Sequence, residues 1–411
     1  MRAPTVRPIA IAAGGTGGHF FPAEALAAAL IARGQRVVLL TDARSGGLKS
    51  PVFANRETHV LPGAGIAGRG LVRGAKAVLA LAAGVMKARS LLARLNAGAI
   101  VGFGGYPCVP PVLATRFLRR PPAVILHEQN AVLGRANRFL SGRIDRLALS
   151  FAGTTRVPAN VRTEVTGNPV RPAITALADA AYTPPDGPIR LLVLGGSLGA
   201  RVFSDVVPAA LLALPADLRA RLSVTQQCRA EDLDRVRTAY EQAGIAADLA
   251  PFFGDVAERL SAAHLVIARA GASTVAELAV AGRPAILVPL PGAIDDHQTG
   301  NARALADAGG AWVMPQNNLP LPSREGGGGR GQAAQSMGYA GATPSPQPPP
   351  ARGGGEFVFT PANLTARLTE LLRDPDALTR AAAAARTQAR TDAAERLADL
   401  VEALMHQETH A

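Results

Sequence analysis

Cysteine, lysine and aromatic residues are scarce in this chain, and the scarcity narrows its possible functions. The only cysteines, Cys108 and Cys228, have no metal-binding or redox spacing. This usage is typical of a protein in a reducing cytoplasm whose thiols are structural. Aromatic residues make up 4% of the chain, and neither a recognition motif nor a stacking platform supports nucleic-acid binding.

Long apolar runs are also missing, which excludes a membrane-spanning helix of about 20 residues. The longest uncharged apolar stretch with a membrane-type flank covers residues 77–86, between Lys76 and Lys87. The apolar run at the N-terminus ends in glycines after Ala13. It is too short for a signal peptide and is predicted to be the first strand.

The net charge of +12 is carried almost entirely by arginine and is unevenly spread. Residues 1–168 hold 22 Lys and Arg against 6 Asp and Glu, whereas the remainder holds 21 against 25. The first part is therefore strongly basic and is expected to meet an anionic partner, with an anionic membrane surface as the favoured one. A solvated arginine-rich surface is the alternative.

A candidate docking segment for such a membrane covers residues 64–95. If 74–95 is helical, an apolar stripe lies near one face, and cationic residues border it. The stripe consists of Val78, Leu81, Val85 and Leu92, and the border of Arg73, Lys76, Lys87, Arg89 and Arg94. The alternative is that the stripe packs on the sheet of its own domain.

Two glycine-rich turns follow short apolar strands, one in each half of the chain. Segment 14–19 reads GGTGGH after the strand at 9–12, and segment 195–200 reads GGSLGA after the strand at 191–194. In a strand–turn–helix unit, free backbone N–H groups and the helix dipole converge on one point and bind anions. Two such units predict two facing, doubly wound α/β domains, each with a phosphorylated ligand.

Apolar strands alternate with helical stretches throughout, which predicts parallel sheets with ligands at the carboxyl ends of their strands. Segment 167–172 (GNPVRP) is expected to be the hinge between domains at 1–168 and 169–411. Residues 317–355 are rich in Gly, Pro, Ser and Gln and are predicted to be a disordered insertion. The C-terminal helical region can pack back on the first domain.

His19 and Glu128 are the candidate catalytic residues. His19 follows the first glycine turn, just ahead of a helix predicted over 22–33, where its imidazole can take a proton beside a bound anion. Glu128 lies in the polar segment 127–130 (HEQN) at a strand end, where it and Asn130 are expected to bind or polarise sugar hydroxyls. Local backbone contacts for His19 and ordinary loop polarity for the segment are the alternatives.

Segment 270–277 (AGASTVAE) is a further strand–turn–helix unit in the second half. Ser273 and Thr274 lie at the helix N-terminus and predict an anion site. Glu277 lies one turn further and can reach a ribose, although a capping box would use it equally well. Segment 295–298 (DDHQ) is a polar loop whose amide suits sugar hydroxyls.

No residue pattern in the sequence requires a metal. Two Asp-x-Asp pairs are interpreted as exposed helix or turn residues, and neither follows a strand. They are Asp232 with Asp234 and Asp374 with Asp376. Two helix dipoles and Arg171 can instead stabilise a leaving diphosphate.

Six segments, taken in order, resemble the MurG family of bacterial glycosyltransferases. They are 14–19, 127–130, 167–171, 195–200, 269–272, and the group His297, Gln298 and Asn301. The resemblance covers nearly the whole chain outside 317–355. It implies a GT-B fold, in which two Rossmann-like domains face a central cleft.

The resemblance also implies an activity in peptidoglycan synthesis, and hence in cell shape and division. N-acetylglucosamine (GlcNAc) would pass from UDP-GlcNAc to the C4 hydroxyl of the muramoyl sugar of lipid I, giving lipid II with inversion. Lipid I is undecaprenyl-pyrophosphoryl-MurNAc-pentapeptide. No metal or other cofactor is implied. The protein is expected at the cytoplasmic face of the inner membrane, as a peripheral protein, with cell-wall synthesis and division proteins as further partners.

Residue roles follow from the same resemblance. The Phe253 backbone is expected near the uracil and Glu277 on the ribose, while His297, Gln298 and Asn130 meet the sugar. The expected substrate-binding residues are Thr16, Gly17 and Gly18 for the acceptor diphosphate, together with Asn130, Arg171, Ser197, Phe253, Ala272, Ser273, Thr274, Val275, Ala276, Glu277, His297 and Gln298.

Two other functions stay open at this point. The first glycine turn approximates the dinucleotide fingerprint Gly-x-Gly-x-x-Gly, with Asp42 as a ribose-binding acid, although Phe20 replaces the third glycine. A nicotinamide oxidoreductase is therefore one alternative. The other is a nucleotide-sugar sensor that binds UDP-GlcNAc without forming a product.

Overall fold

The computed structural model of the chain describes residues 7–14, 17–42, 50–61, 71–196, 199–316 and 357–409. Within them, the strands form two separate sheets that are parallel throughout. The first sheet contains β1 (Ile9–Ala12), β2 (Val37–Thr41), β3 (Thr58–Val60), β4 (Ala99–Gly102), β5 (Ala123–Glu128), β6 (Arg146–Leu149) and β7 (Thr163–Val165). The second contains β8 (Ile189–Leu194), β9 (Leu222–Gln227), β10 (Ala246–Ala250), β11 (Leu265–Ala268), β12 (Ala285–Leu287) and β13 (Ala311–Val313).

Helices connect these strands and also complete the C-terminal part. They are α1 (Gly17–Ala32), α2 (Leu71–Leu95), α3 (Val109–Thr115), α4 (Arg135–Leu140), α5 (Pro172–Thr175), α6 (Arg201–Leu212), α7 (Ala216–Arg219), α8 (Leu233–Gln242), α9 (Val256–Ala262), α10 (Ala272–Ala281), α11 (His297–Ala306), α12 (Pro361–Arg373), α13 (Pro375–Thr387) and α14 (Ala393–Thr409). The predicted α/β class with two Rossmann-like halves is confirmed.

Both sheets have the same kind of switch point. The strand orders are β3-β2-β1-β4-β5-β6-β7 and β10-β9-β8-β11-β12-β13. Chain order reverses direction between β1 and β4 in one sheet and between β8 and β11 in the other, which is where open α/β sheets bind ligands. The glycine-rich turns follow β1 and β8, so both lie at a switch point.

The central strands are mostly apolar because helices cover both faces of each sheet. In the first sheet, α1 and α14 cover one face, and α2, α3 and α4 cover the other. In the second sheet, α6, α8 and α12 pack on one face, and α5, α9, α10 and α11 pack on the other. Side chains at the carboxyl ends of the strands are left to face the cleft.

Helix α1 begins five residues earlier than predicted, at Gly17 rather than Pro22. Proline has no N–H group, so Pro22 cannot donate to the carbonyl of Gly18 four residues back. That carbonyl accepts a hydrogen bond from the Ser273 hydroxyl of the second domain, at 3.3 Å. The proline therefore belongs to the helix and frees an acceptor for a contact across the cleft.

The C-terminal helix α14 packs on α1 of the first domain. Leu397, Val401 and Leu404 of α14 join the core of the first sheet. Arg33, which directly follows α1, contacts three carboxylates of α14, Glu395, Asp399 and Glu402. The last helix therefore ties the end of the chain to the domain in which it begins.

Several predictions fall on residues outside the described ranges. They concern the order of 317–355, the roles of Thr16 and Ser197, and the first part of the docking segment, residues 64–70. The described segments on either side of residues 317–356 are hydrogen-bonded to each other. The backbone N–H of Phe359 donates to the carbonyl of Pro315 at 2.8 Å.

Candidate active site

The carboxyl ends of the two sheets border one cavity of about 1440 Å³. A site for one small ligand is typically about 300–1,000 Å³, so this cavity has room for two substrates. The predicted site residues that line it are Gly17, Gly18, His19, Glu128 and Asn130 from the first domain, Arg171, and Phe253, Ala272, Ser273, Thr274, Glu277, His297 and Gln298 from the second. Val275 and Ala276 pack against the core instead, so only their backbone can reach a substrate.

His19 lies on the first turn of α1, and its imidazole packs over the turn after β4. Gly104 and Gly105 of that turn have positive φ of 84° and 67°, and a Cβ on Gly104 would lie 3.4 Å from His19 Nε2. Burial lowers the pKa of His19, only partly offset by the Glu128 charge. The neutral imidazole, which can accept a proton, therefore predominates near pH 7.

Glu128 is buried at the end of β5, and four donors engage its carboxylate. Oε1 accepts from the backbone N–H and the side-chain amide of Asn130, both at 3.0 Å. Oε2 accepts from the Gly134 N–H at 2.9 Å and the Asn137 amide at 2.8 Å. A carboxylate that is bonded in this way shapes the loop around it and has little capacity left for proton transfer.

His127, the neighbour of Glu128, is fully buried and points away from the cavity. Its Nε2–H donates to the Gly167 carbonyl at 2.9 Å, and its Nδ1 accepts from the Gln129 amide at 3.0 Å. Burial lowers the pKa of His127 to about 4. Its role is to join β5 to the segment that leads into the second domain.

The N-terminus of α10, which the sequence predicts to be an anion site, lines the cavity from the second domain. Gly271 is its N-cap, and Ala272, Ser273 and Thr274 form the first turn. Opposite them, the backbone of Gly195 and Gly196 is held by Gln227, whose Oε1 accepts from the Gly195 N–H at 3.1 Å. The Gln227 amide donates to the Gly196 carbonyl at 2.9 Å. Gln227 went unnoticed in the sequence because no local motif contains it.

Glu277 and Arg171 are paired with each other in this structure. The Arg171 Nη2 and Nε groups donate to Glu277 Oε1 at 2.8 and 3.1 Å, and the guanidinium lies 4.7 Å from the centre of the Phe21 ring in α1. Burial raises the pKa of Glu277, and the Arg171 charge opposes this. Arg171 therefore connects the wall of one domain to the wall of the other.

Two polar side chains of α11 form hydrogen bonds to the loop that precedes the helix. His297 Nδ1–H donates to the Ile294 carbonyl at 2.8 Å, and Gln298 Oε1 accepts from the Leu290 N–H at 3.0 Å. Asn301 is fully buried and spans the domains, since its Oδ1 accepts from Ala131 N–H at 2.8 Å and its amide donates to Asn130 Oδ1 at 3.1 Å. Asn301 thus holds the Asn130 amide and is not placed to meet a sugar itself.

Phe253, the residue expected near the uracil, is buried beneath Arg259, whose guanidinium carbon lies 4.0 Å from the ring centre. The neighbouring Phe252 is 70% exposed and also lines the cavity. In the sequence, the only feature that singles out Phe252 is that aromatic residues are scarce in this chain. The pair places one aromatic ring in the wall and one at the edge of the cavity.

One of the two Asp-x-Asp pairs differs from the prediction. Asp232 is buried rather than exposed, because its carboxylate accepts from Arg229 and Arg235, both at 2.9 Å, whereas Asp234 is exposed. Among the described residues, no group of three or more His, Cys, Asp or Glu side chains is arranged to hold a metal ion.

Two facing Rossmann-like domains, with a glycine-rich turn and a helix N-terminus on each wall of one cleft, form the GT-B architecture that many glycosyltransferases share. Sequence comparison assigns this chain to the glycosyltransferases. The glycosyltransferase family 28 N-terminal domain matches residues 9–149, and the C-terminal domain of that family matches residues 190–324.

The similar proteins narrow this class further. A UDP-N-acetylglucosamine–N-acetylmuramyl-(pentapeptide) pyrophosphoryl-undecaprenol N-acetylglucosamine transferase of Granulibacter bethesdensis is 61% identical over 398 residues, covering 96% of this chain and 93% of that protein. The Acidiphilium cryptum protein of the same name is 52% identical and covers 98% of both chains. The crystal structure of Acinetobacter baumannii MurG has a TM-score of 0.70 at 29% identity and covers 96% of this chain and 98% of its own.

The chain belongs to the MurG family, within glycosyltransferase family 28. The resemblance drawn from six short segments is thereby confirmed, and the protein is a glycosyltransferase. The nicotinamide oxidoreductase and the non-catalytic sensor are both wrong. Phe20, at the position of the third fingerprint glycine, is buried in the core of the first domain.

Proposed function

We propose that this protein transfers GlcNAc from UDP-GlcNAc to the C4 hydroxyl of lipid I and so forms lipid II. The observation that carries the proposal is the pair of anion-binding helix ends, α1 and α10, on opposite walls of one cavity, with His19 on the first of them. The names of the similar proteins supply the identity of donor and acceptor.

The second domain is assigned to the donor. The N-terminus of α10 and the glycine turn after β8 receive the diphosphate, and the carboxylate of Glu277 accepts hydrogen bonds from the ribose hydroxyls. The Phe253 backbone lies near the uracil. Arg171, which now bonds Glu277 Oε1, is close enough to share in stabilising the charge of the leaving UDP.

The first domain is assigned to the acceptor, whose diphosphate meets the backbone of Gly17 and Gly18 at the start of α1. His19 takes the proton of the C4 hydroxyl as that oxygen attacks the anomeric carbon of GlcNAc. The bond from this carbon to the UDP oxygen breaks on the opposite face, so the configuration inverts and UDP leaves. Asn130, His297 and Gln298 orient the transferred sugar.

The acceptor is lipid-linked, and we assign a surface of the first domain to the cytoplasmic face of the inner membrane. The predicted stripe on α2 is wrong for that purpose, because Leu81 and Val85 pack against the core and Leu92 is buried within it. The fourth residue of the stripe, Val78, is exposed, and with three other residues on α2 and after α3 it forms a set that is 60–69% exposed. The set consists of Val78, Leu79, Met86 and Phe117.

We call this set the apolar face. Arg89 joins its two parts, because its Nε donates to the Phe117 carbonyl at 2.9 Å. Lys87 lies beside Met86 and donates to the Val60 carbonyl at 3.1 Å. Apolar side chains with basic neighbours are suited to the interface of an anionic bilayer. None of the helices in the described part of the chain is long and apolar enough to cross a membrane.

The direct test is transfer of radiolabelled GlcNAc from UDP-GlcNAc to a short-chain lipid I analogue. We expect a labelled disaccharide product whose formation requires both substrates. UDP-glucose and an acceptor whose C4 hydroxyl is methylated serve as controls and should give no product. Binding of UDP-GlcNAc without any product, or transfer to the methylated acceptor, would overturn the proposed reaction.

A further inference from the structure

Three arginines of the first domain surround one aspartate of the second at the rim of the cavity. Arg156 Nη1 lies 2.5 Å from Asp295 Oδ1, and Arg135 Nε and Arg138 Nη2 lie 3.6 and 3.8 Å from Oδ2. Arg135 and Arg138 project from α4, whereas Arg156 lies beyond β6. One carboxylate thus faces three guanidinium groups, and the cluster can accept more negative charge than Asp295 brings.

The aspartate is an imperfect partner for this arginine cluster. Asp295 has a φ of 57° and Arg156 a φ of 62°, in the left-handed region that disfavours residues other than glycine. Oδ2 of Asp295 is buried and accepts no hydrogen bond from any described residue, although buried carboxylate oxygens normally accept them. Asp295 and Arg156 therefore both adopt an unfavourable backbone conformation, yet their contact leaves Oδ2 of Asp295 without a hydrogen bond.

The electrostatics of the cluster favour an ionised carboxylate in this position. Burial by itself would raise the pKa of the Asp295 carboxyl, but the hydrogen bond from Arg156 and the charges of Arg135 and Arg138 outweigh it and lower the pKa. Guanidinium groups bind carboxylates through paired N–H donors. The chemistry that best fits the cluster is accordingly a second, better-placed carboxylate.

The acceptor in the names of the similar proteins carries a pentapeptide, which has at least one free carboxylate. Arg135 lines the cavity beside the acceptor wall, next to Gly134 and Asn137. The acceptor diphosphate is already assigned to the N-terminus of α1, and the peptide leaves the muramoyl sugar at a different position. A peptide carboxylate is therefore the acceptor group that the rim of the cavity can meet.

We propose that Arg135, Arg138 and Arg156 form a subsite for a carboxylate of the acceptor peptide, and that Asp295 fills this subsite until the acceptor displaces it. The inference rests on the proposed function, because it assumes that the acceptor carries a peptide. In this proposal Asp295 competes with the substrate for the arginines. If the ion pairs only held the domains together, Asp295 and the arginines would instead act in the same direction.

The test compares two short-chain acceptors in detergent, one with the pentapeptide and one with the muramoyl diphosphate alone. The variants are Arg135→Ala combined with Arg156→Ala, Arg138→Gln, and Asp295→Asn. The control is Arg237→Ala, which breaks an ion pair with the exposed Asp234 on α8. Calorimetric binding of each acceptor, measured without donor, accompanies KM and kcat so that the subsite is assessed independently of turnover.

We expect the double arginine variant to raise the KM and the Kd for the pentapeptide acceptor by about 10- to 100-fold, the range for losing charged hydrogen bonds. Its values for the peptide-free acceptor should stay within about twofold of the parent protein. Arg138→Gln should act in the same direction but less strongly. Asp295→Asn should instead lower the KM and Kd for the pentapeptide acceptor, because the competing charge is gone.

Three outcomes would overturn the inference. An equal rise for both acceptors would place the diphosphate, not the peptide, at the arginines. A rise in KM and Kd for Asp295→Asn like that of the arginine variants would show a strut between the domains. Equal binding of the two acceptors by the parent protein would show that the peptide is not recognised. If neither acceptor were glycosylated but the peptide preference in binding held, the proposed function would fail while the subsite remained.

Discussion

At the scale of single residues, the acceptor wall has two candidate bases in very different situations. Glu128 gives both carboxylate oxygens to donors of its own loop. Among the described residues, the His19 ring makes no hydrogen bond, and it faces the cavity with a lowered pKa. We therefore propose His19 as the base and Glu128 as the residue that fixes the position of Asn130.

The His19→Ala variant tests this assignment. Turnover should fall by about 10²- to 10⁴-fold, the usual contribution of a general base, while binding of UDP-GlcNAc is nearly unchanged. Burial lowers the pKa of His19 below its ordinary 6.5, and the base works only when neutral. The acid limb of kcat/KM against pH should therefore have its midpoint below pH 6.5.

Initial rates between pH 5 and pH 9 would measure this limb in the parent protein. Glu128→Gln, which keeps the shape of the side chain, is the matched variant and should preserve the limb. A midpoint above pH 6.5, or a loss of tenfold or less in His19→Ala, would contradict the role of His19 as the base.

Glu277 is the residue that should separate the two substrates. Glu277→Ala removes the proposed acceptor of the ribose hydrogen bonds. The KM for UDP-GlcNAc should therefore rise about 5- to 150-fold, which corresponds to about 1–3 kcal/mol, with a much smaller change in the KM for the acceptor. Arg171→Ala is the comparison, because it removes the other half of the pair. The measurement is steady-state kinetics with each substrate varied in turn. Equal effects on both KM values would show that Glu277 only holds the domains together.

At the scale of elements, the described segments that flank residues 317–356 contact each other and the second domain. Met314 is buried and donates its N–H to the Leu287 carbonyl, and the N–H of Phe359 donates to the Pro315 carbonyl. Phe359 then packs against Phe203 of α6, with ring centres 5.5 Å apart. These contacts between α12 and the second domain are made by residues on either side of the insertion.

Deletion of residues 320–354 should accordingly leave the second domain intact. A short turn can join chain ends that already hydrogen-bond to each other, and loop length itself has a small effect on stability. We expect an activity within about twofold of the parent protein and a change in Tm of a few degrees at most. Calorimetry and the transfer assay would measure both.

Replacement of the same segment by a Gly-Ser linker of equal length is the control for that deletion. It separates the effect of length from the effect of sequence. If both variants failed to fold, the insertion would be a packed part of the domain, against the composition-based prediction.

At the scale of the whole molecule, the two domains share the cleft through polar contacts between distant parts of the chain. Ser273 donates to Gly18 in α1, and Asn301 bonds both Asn130 and the Ala131 backbone. Helix α14 adds a third connection by packing on α1. Because we assign the donor and the acceptor to different domains, we expect these contacts to set the distance between the reacting groups.

The membrane prediction also belongs to the whole molecule, since it requires the cavity and the apolar face to serve one acceptor. Leu79→Glu combined with Met86→Glu should weaken binding to vesicles with anionic lipid and reduce the use of membrane-embedded acceptor. Both side chains are exposed, so folding and activity on a soluble short-chain acceptor should persist. Vesicle co-sedimentation at low and high salt measures the binding.

A matched control is Leu212→Glu, which places the same charge on an exposed residue of α6 in the second domain. It should leave vesicle binding unchanged. Equal losses with soluble and embedded acceptors, or a parent protein that does not bind anionic vesicles, would contradict the docking surface.

The sequence by itself determined the local units of this protein. A strand, a glycine turn and a helix N-terminus are encoded within about twenty neighbouring residues, so both switch-point turns and the two-sheet architecture could be predicted. The order of six short segments also identified the family. Apolar periodicity was compatible with a helix over 74–95 but could not tell which face of α2 is covered by the sheet.

Only the tertiary structure decided which polar groups remain available to substrates. Arg171 and Glu277 are 106 residues apart, and Asn130 and Asn301 are 171 residues apart, so no local pattern records either pairing. The same holds for the hydrogen bond from the buried His127 to Gly167, which lies 40 residues away. The donors on Glu128, by contrast, lie within nine residues of it, in the loop after β5. The chemistry of a polar side chain depends on the partners and burial that the fold gives it, and many of these come from distant segments.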